Sequence, residues 1–234
     1  MFYFGFFYAT AGTIHLMAPG ADIYDYRVFG KSGSVGVDEA IAQAIHAAAD
    51  VNCQLINMSL GGPNVSQPIK EAIDYACGKG VILVCAAGNE GDNNPLTNEI
   101  SYPAYYEKCI SIAAIQKKDK LPIAVFSNSN DQVDYAGIGV DVTSFKPGGG
   151  YQQMSGTSMA CPHACGFMAC ILQKYGCSNT NELRKVLSKY VVDIGTEGID
   201  NETGLGFLTY LREDEFDKLL PRKPKKQLSK ATAY

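Results

Sequence analysis

The chain has 234 residues, 46% of them hydrophobic and 19% charged, with a net charge of −4. Those figures suit one sizeable core better than two domains, and they argue against a nucleic-acid-binding body. No apolar run approaches the roughly 20 residues that a bilayer crossing takes. Charge is uneven: Arg222, Lys223, Lys225, Lys226 and Lys230 put +5 on residues 221–234, leaving −9 on the remainder. Residues 213–234 therefore read as a basic, disordered tail.

In chain order, residues 2–9 are apolar but lack the basic flank of a signal peptide. Residues 21–29 are strand-like and end at Gly30. Residues 37–50 place Ile41, Ala44, Ile45 and Ala48 on one face of a helix. Residues 54–60 form an apolar strand run closed by Gly61-Gly62. Ser66 and Pro68 open a helix with Ile69, Ala72, Ile73 and Ala76 as its buried stripe, and Gly78 and Gly80 stop it. Residues 81–87 and 109–115 are continuous buried-strand runs, and 140–144 is a shorter one. Gly148-Gly149-Gly150 precedes a helix from about 158 to 175, and a second helix begins at 178–180 and runs to about 190. Apolar strands separated by helices predict an α/β fold in three layers, a mostly parallel central sheet with helices on both faces.

None of the eight cysteines forms a Cys-x-x-Cys pair. Cys161, Cys165 and Cys170 follow one another along a single predicted helix, which suits small buried thiols and a reducing compartment better than a disulfide framework.

Ligands of such sheets gather at the carboxyl ends of the strands. Three segments distant in sequence fall there. Ser158 lies in the string Ser155-Gly-Thr-Ser-Met-Ala-Cys-Pro-His163, where a helix begins. There the backbone N–H groups and the positive end of the helix dipole could hold the oxyanion of a tetrahedral intermediate. Asn89, in Ala86-Ala87-Gly88-Asn89-Glu90-Gly91, could donate its side-chain amide to the same oxyanion. Ser59, Leu60 and Gly61 offer backbone to which an extended peptide could add as a strand, with Ala86, Ala87 and Gly88 as a facing wall. Taken singly, each has a bland reading: an N-cap serine, a Gly-Asn turn, strands ended by glycine.

Together these strings closely resemble the nucleophile, oxyanion-hole and substrate-strand motifs of the subtilisin-like serine proteases (peptidase S8 type). The match extends to about residue 210, where Asp200 to Phe207 looks like the family's closing segment, and Ala136-Gly137-Ile138-Gly139 stands where an Ala-Pro-Gly turn is usual. The resemblance implies a subtilisin-like domain over 15–212 that cleaves peptide bonds through an acyl-enzyme. Ser158 would be the nucleophile and Asn89 an oxyanion donor. The substrate would be an extended polypeptide held by Ser59, Leu60, Gly61, Ala86, Ala87 and Gly88, with no nucleic-acid partner and a monomeric state. It implies no cofactor; relatives often bind calcium in surface loops, but no acidic cluster supports a site near Tyr102-Pro103-Ala104.

The family's catalytic Asp and His motifs find no match. Ala11-Gly12-Thr13 resembles the end of its His-Gly-Thr-His-Val-Ala-Gly-Thr string, and on that alignment Ala9 takes the catalytic histidine's place. Residues 1–14 are read as a degenerate or truncated segment, so the fold is expected to lack its N-terminal part. His15, His46 and His163 are the only histidines, and His163 lies five residues after Ser158 on one helix, on a different face. A serine without a base is a poor nucleophile. The chain is thus expected to be inert by itself; the alternative is a pseudoprotease that binds extended peptides without cutting them. An α/β-hydrolase elbow at Gly156-x-Ser158-x-Ala160 is set aside, because that fold needs an acid and then a histidine after the serine.

Overall fold

The computed structural model describes residues 3–30 and 36–211, with Glu215 and Lys218. Strands β1 (Leu55–Met58), β2 (Ile82–Ala86), β3 (Ile110–Ile115) and β4 (Val133–Ile138) pair in parallel in that order, followed by β8 (Phe207–Leu208) and β7 (Val191–Val192). Only the β7–β8 pair is antiparallel. A separate hairpin joins β5 (Val142–Phe145) to β6 (Tyr151–Met154).

Side-chain alternation along β2 sets the layers. Ile82, Val84 and Ala86 pack on one face with Ile110 and Ile112 of β3 and with Ala160, Ala164 and Met168 of α4 (Thr157–Tyr175). Leu83 and Cys85 turn to the other face, against Ile41 and Ile45 of α2 (Val37–Asp50) and Ala72, Ile73 and Ala76 of α3 (Gln67–Gly78). Both faces of β2 and β3 are fully buried, as the apolar runs required. α1 (Tyr3–Met17) crosses α4 where Gly166 has no side chain; a Cβ there would stand 2.5 Å from Met17 Cβ. α5 (Thr180–Leu187) follows, capped by Asn179, whose side chain accepts from Glu182 N. All eight cysteines are free, with Cys85, Cys109, Cys161 and Cys165 buried.

The structure corrects two expectations and adds one strand. Residues 21–29 adopt no regular structure; a strand needs a neighbour for its N–H and C=O groups, and among the described residues none pairs with it. β4 is a sheet strand despite Asp134 and Gly137, because Arg184 of α5 meets the carboxylate and Gly137 admits the backbone of α4. A Cβ on Gly137 would lie 2.6 Å from Ala160 O. The run expected at 140–144 is one arm of the β5–β6 hairpin, outside the parallel sheet. The basic tail lies outside the described residues except for Glu215 and Lys218, and among the described residues no helix is long and apolar enough to cross a membrane.

Candidate active site

The parallel register of β1 and β2, with Met58 opposite Cys85, sends Ser59–Gly61 and Ala86–Gly88 out of the sheet side by side. Neither segment tolerates bulk. A Cβ on Gly61 would stand 2.5 Å from Ser101 Oγ, because the next residue, Gly62, is bridged to Tyr102 in both directions (3.0 and 2.7 Å). Gly88 sits at φ +116, where a side chain would strike Asn128 Nδ2.

Ser158 occupies the first turn of α4. The N-cap, Gly156, donates its N–H to Gly139 O at 2.8 Å, which fixes the start of the helix over the end of β4. The segment 136–139, which stands where the resembled family usually has a turn, is strand and strand exit that seat the helix bearing Ser158. Thr157 carries the next constraint. Its N–H (2.8 Å) and hydroxyl (3.0 Å) both donate to Asn89 Oδ1, while Gly88 N donates to its hydroxyl at 3.2 Å. The amide of Asn89 thus caps α4 from 68 residues away, and its orientation follows: Oδ1 is engaged on Thr157, leaving Nδ2 as the outward donor.

Both groups close on one point. A Cβ placed on Gly156 would lie 2.8 Å from Ser158 Oγ, 3.6 Å from Asn89 Oδ1 and 3.7 Å from Asn89 Nδ2. Ser158 Oγ and the Asn89 amide therefore face one small space that only glycine leaves open, where a carbonyl could be attacked on carbon and held on oxygen. Ser158 itself is partly exposed.

Two residues that shape this site carry no motif. Asn128, wholly buried, accepts from Glu90 N (2.6 Å) and donates to the Glu90 carboxylate (3.1 Å), which in turn accepts from Asn89 N (3.0 Å). Asn57, in β1, donates to Ser59 Oγ (3.0 Å) and accepts from Cys161 Sγ (3.2 Å), tying the exit of β1 to the second turn of α4. An uncharged Asn inside or beside an apolar run was the one available signal for each.

The histidines lie elsewhere. His15 is exposed in the last turn of α1. His46 packs against the ring of Tyr75 at 4.5 Å. His163 stacks on Phe207 at 5.9 Å with Nδ1 buried and unpartnered. Among the described residues no hydrogen bond reaches Ser158 Oγ. Counted back from Ala11, the resembled string's second histidine falls on Ala9 and its first on Phe6. Ala9 is fully buried, and its carbonyl accepts from Thr13 Oγ1 (2.9 Å) and Ser144 Oγ (2.7 Å). The segment at Tyr102-Pro103-Ala104 contains a cis peptide, and among the described residues no three His, Cys, Asp or Glu side chains gather as a metal site.

Burial, helped by the positive charge of Lys117, pulls the imidazole of His163 down to about 4. As pH falls, the unfolded chain takes this proton first, near 6.5, so native stability drains between about 6.5 and 4 and is level below. At 1.36 kcal/mol per unit the loss is about 3 kcal/mol. His163→Phe keeps the stack on Phe207 without the titration. Its urea-unfolding free energy should fall about 3 kcal/mol less than that of the parent between pH 7 and pH 4; equal losses would show the imidazole to be solvated.

A serine at a helix N-terminus, facing a side-chain amide across two strand exits of a parallel sheet, is an arrangement suited to attack on a carbonyl and to holding its oxyanion. The chain belongs to the subtilase family, whose peptidase S8 model matches residues 8–206. It is 38% identical over 202 residues to an intracellular serine protease of Paenibacillus polymyxa, covering 84% of this chain and 61% of that protein. It is 37% identical to subtilisin DY of Bacillus licheniformis, covering 80% of this chain and 66% of the relative. The solved S41 psychrophilic protease superposes with a TM-score of 0.76 at 33% identity, over 83% of this chain and 70% of that one. The chain thus spans under two thirds of the length of these two sequence relatives.

Proposed function

We propose that this chain is a serine-endopeptidase domain which binds extended polypeptide but, by itself, leaves the acylation step almost unassisted. Ser158 is the nucleophile position, and the Asn89 amide with the Ser158 N–H forms the oxyanion hole. Ser59, Leu60 and Gly61 form one wall of the peptide cleft, with Ala86, Ala87 and Gly88 as the other. The single observation that carries the reading is the capture of Asn89 Oδ1 by Thr157. It costs Asn89 its acceptor and aims its donor at the space beside Ser158 Oγ.

A second reading, a peptide-binding module without turnover, is favoured by the histidines. Both His46 and His163 are held against other rings, and among the described residues no hydrogen bond reaches Ser158 Oγ. Neither is placed as the base that a serine hydroxyl needs. Treatment of the purified protein with a fluorophosphonate, followed by peptide mapping, separates the two. Slow modification confined to Ser158 is expected for a formed oxyanion hole without a base. Labelling at the rate of a complete serine protease would overturn the inert assignment, and labelling spread over other serines would overturn the site.

A further inference from the structure

Four consecutive polar residues, Ser127, Asn128, Ser129 and Asn130, lie between β3 and β4 at 5% exposure or less. Buried polar atoms cost free energy unless they are paired, and these are paired in several directions at once. Ser127 Oγ accepts from Ala114 N of β3 at 3.0 Å. Ser129 donates its N–H and its hydroxyl to Glu99 Oε2 (3.0 and 3.2 Å), and Asn130 Nδ2 donates to Glu99 O at 2.9 Å. Asn130 N donates to Asn201 O at 3.0 Å. Asn128 therefore stands in a seam anchored on both sides of it, and its own side chain turns onto the segment that carries Asn89. Its N–H donates to Gly88 O (3.1 Å), its Oδ1 accepts from Glu90 N (2.6 Å) and its Nδ2 donates to Glu90 Oε2 (3.1 Å). That same carboxylate oxygen accepts from Asn89 N at 3.0 Å, so Glu90 is wedged between Asn128 and the backbone of Asn89.

We propose that Asn128 is a positioning residue for the oxyanion donor: it fixes the backbone of residues 88–90, while Thr157 fixes the side chain of Asn89. The inference deepens the proposed function and rests on its reading of Asn89 as that donor. Residues 87–101 form neither helix nor strand, so no ladder of backbone bonds holds the Asn89 turn in shape. Its shape comes from side chains that reach it. The bonds from Thr157 N and Oγ1 hold only Oδ1 of Asn89, and an amide held by one atom can still swing about that atom. A second anchor on its own backbone removes the swing and leaves Nδ2 one direction. Gly88 makes the anchor possible, because at φ +116 it carries no side chain to strike Asn128 Nδ2. A donor aimed before the reaction needs no reorganisation during it, which is where oxyanion stabilisation draws its strength. A misplacement on the order of 1 Å can cost about 10² in rate.

The test uses the whole chain and diisopropyl fluorophosphate, with the rate of labelling at Ser158 read by peptide mapping. Asn128→Asp keeps the shape and the acceptor for Glu90 N but sets a second carboxylate against that of Glu90. Two carboxylates in one site retain a shared proton to higher pH than a lone one, and that proton restores the missing bond. The ratio of variant to parent labelling rates should therefore lie within about twofold of one at pH 5.5 and fall at least about tenfold by pH 8.5. Asn128→Ala has no proton to regain and should stay at least about tenfold below the parent at both pH values. Circular dichroism should match the parent throughout for Asn128→Asp, so its ratio decides the matter even where Asn128→Ala fails to fold. A ratio near one at both pH values would overturn the proposal. So would a low ratio that does not change with pH, or a fall at pH 8.5 that tracks loss of the folded signal, since either makes Asn128 a structural residue only. Failure of the underlying reading looks different: Asn89→Asp would then label as fast as the parent, whereas slow labelling of Asn89→Asp beside unchanged labelling of Asn128→Asp sinks this inference alone.

Discussion

A chromogenic peptide is expected to be turned over about 10⁶-fold more slowly by this chain than by a subtilase with its base in place, because deletion of serine or histidine in subtilisin costs about 2 × 10⁶ in turnover. At 1.36 kcal/mol per decade that is about 8–9 kcal/mol of barrier. What is expected to persist is the contribution of an oxyanion hole and binding, worth about 10³–10⁴ over water in serine proteases. The residue that tests this remainder is Asn89. Asn89→Asp keeps an oxygen to accept from Thr157 N and so retains the cap on α4, but it replaces the Nδ2 donor with a carboxylate. The fluorophosphonate labelling rate should then fall by about 10²–10³, the usual effect of one oxyanion donor. Thermal stability should stay near the parent value. An unchanged rate would remove Asn89 from the chemistry, and a collapse of stability would make it a structural cap alone.

Arg184→Leu should be among the most damaging single changes to stability. The guanidinium donates to both oxygens of Asp134 (3.0 and 3.2 Å), to Cys109 O (2.8 Å) and to Glu107 O, so α5 is pinned across β3 and β4. Asp134 Oδ2 also accepts from Ser111 N at 2.9 Å. Burial already holds the Asp134 carboxyl above its usual range, against the pull of Arg184. Without the arginine, a buried acid and two carbonyls lose their partner. Breaking a buried pair costs 3–5 kcal/mol. With side chains 28% and 18% exposed, about 3 kcal/mol is expected, or a melting point lower by about 10 °C for a domain of this size. Arg184→Leu with Asp134→Asn should cost less than the two single changes added, since each removes the charge the other leaves stranded. A loss below about 1 kcal/mol would class the pair with surface ion pairs.

The legible part of this protein was that in which local pattern and global environment agree. β2 and β3 announce themselves as uninterrupted apolar runs because both faces are covered. α2 and α3 show stripes because each buries one side. β4 was illegible since Asp134 interrupts it, and its partner, Arg184, lies fifty residues on. Residues 21–29 failed in the opposite sense: their composition suits a strand, but strand structure belongs to a pair and not to a segment. Asn57 and Asn128 gave no signal beyond their polarity, because hydrogen bonds to Ser59, Cys161 and Glu90 are invisible until the chain closes on itself.

By itself the sequence determined the α/β class and the family, and it singled out Ser158 and Asn89 as candidates, since short strings with glycine at fixed places encode the turns that carry them. It also determined that only three imidazoles exist in the chain. Tertiary structure alone decided that Asn89 caps α4 through Thr157 and so points its donor toward Ser158, and that Gly156 keeps the space between them open. These are distances between residues far apart in the chain, set by how helices and strands pack, and no local pattern contains them.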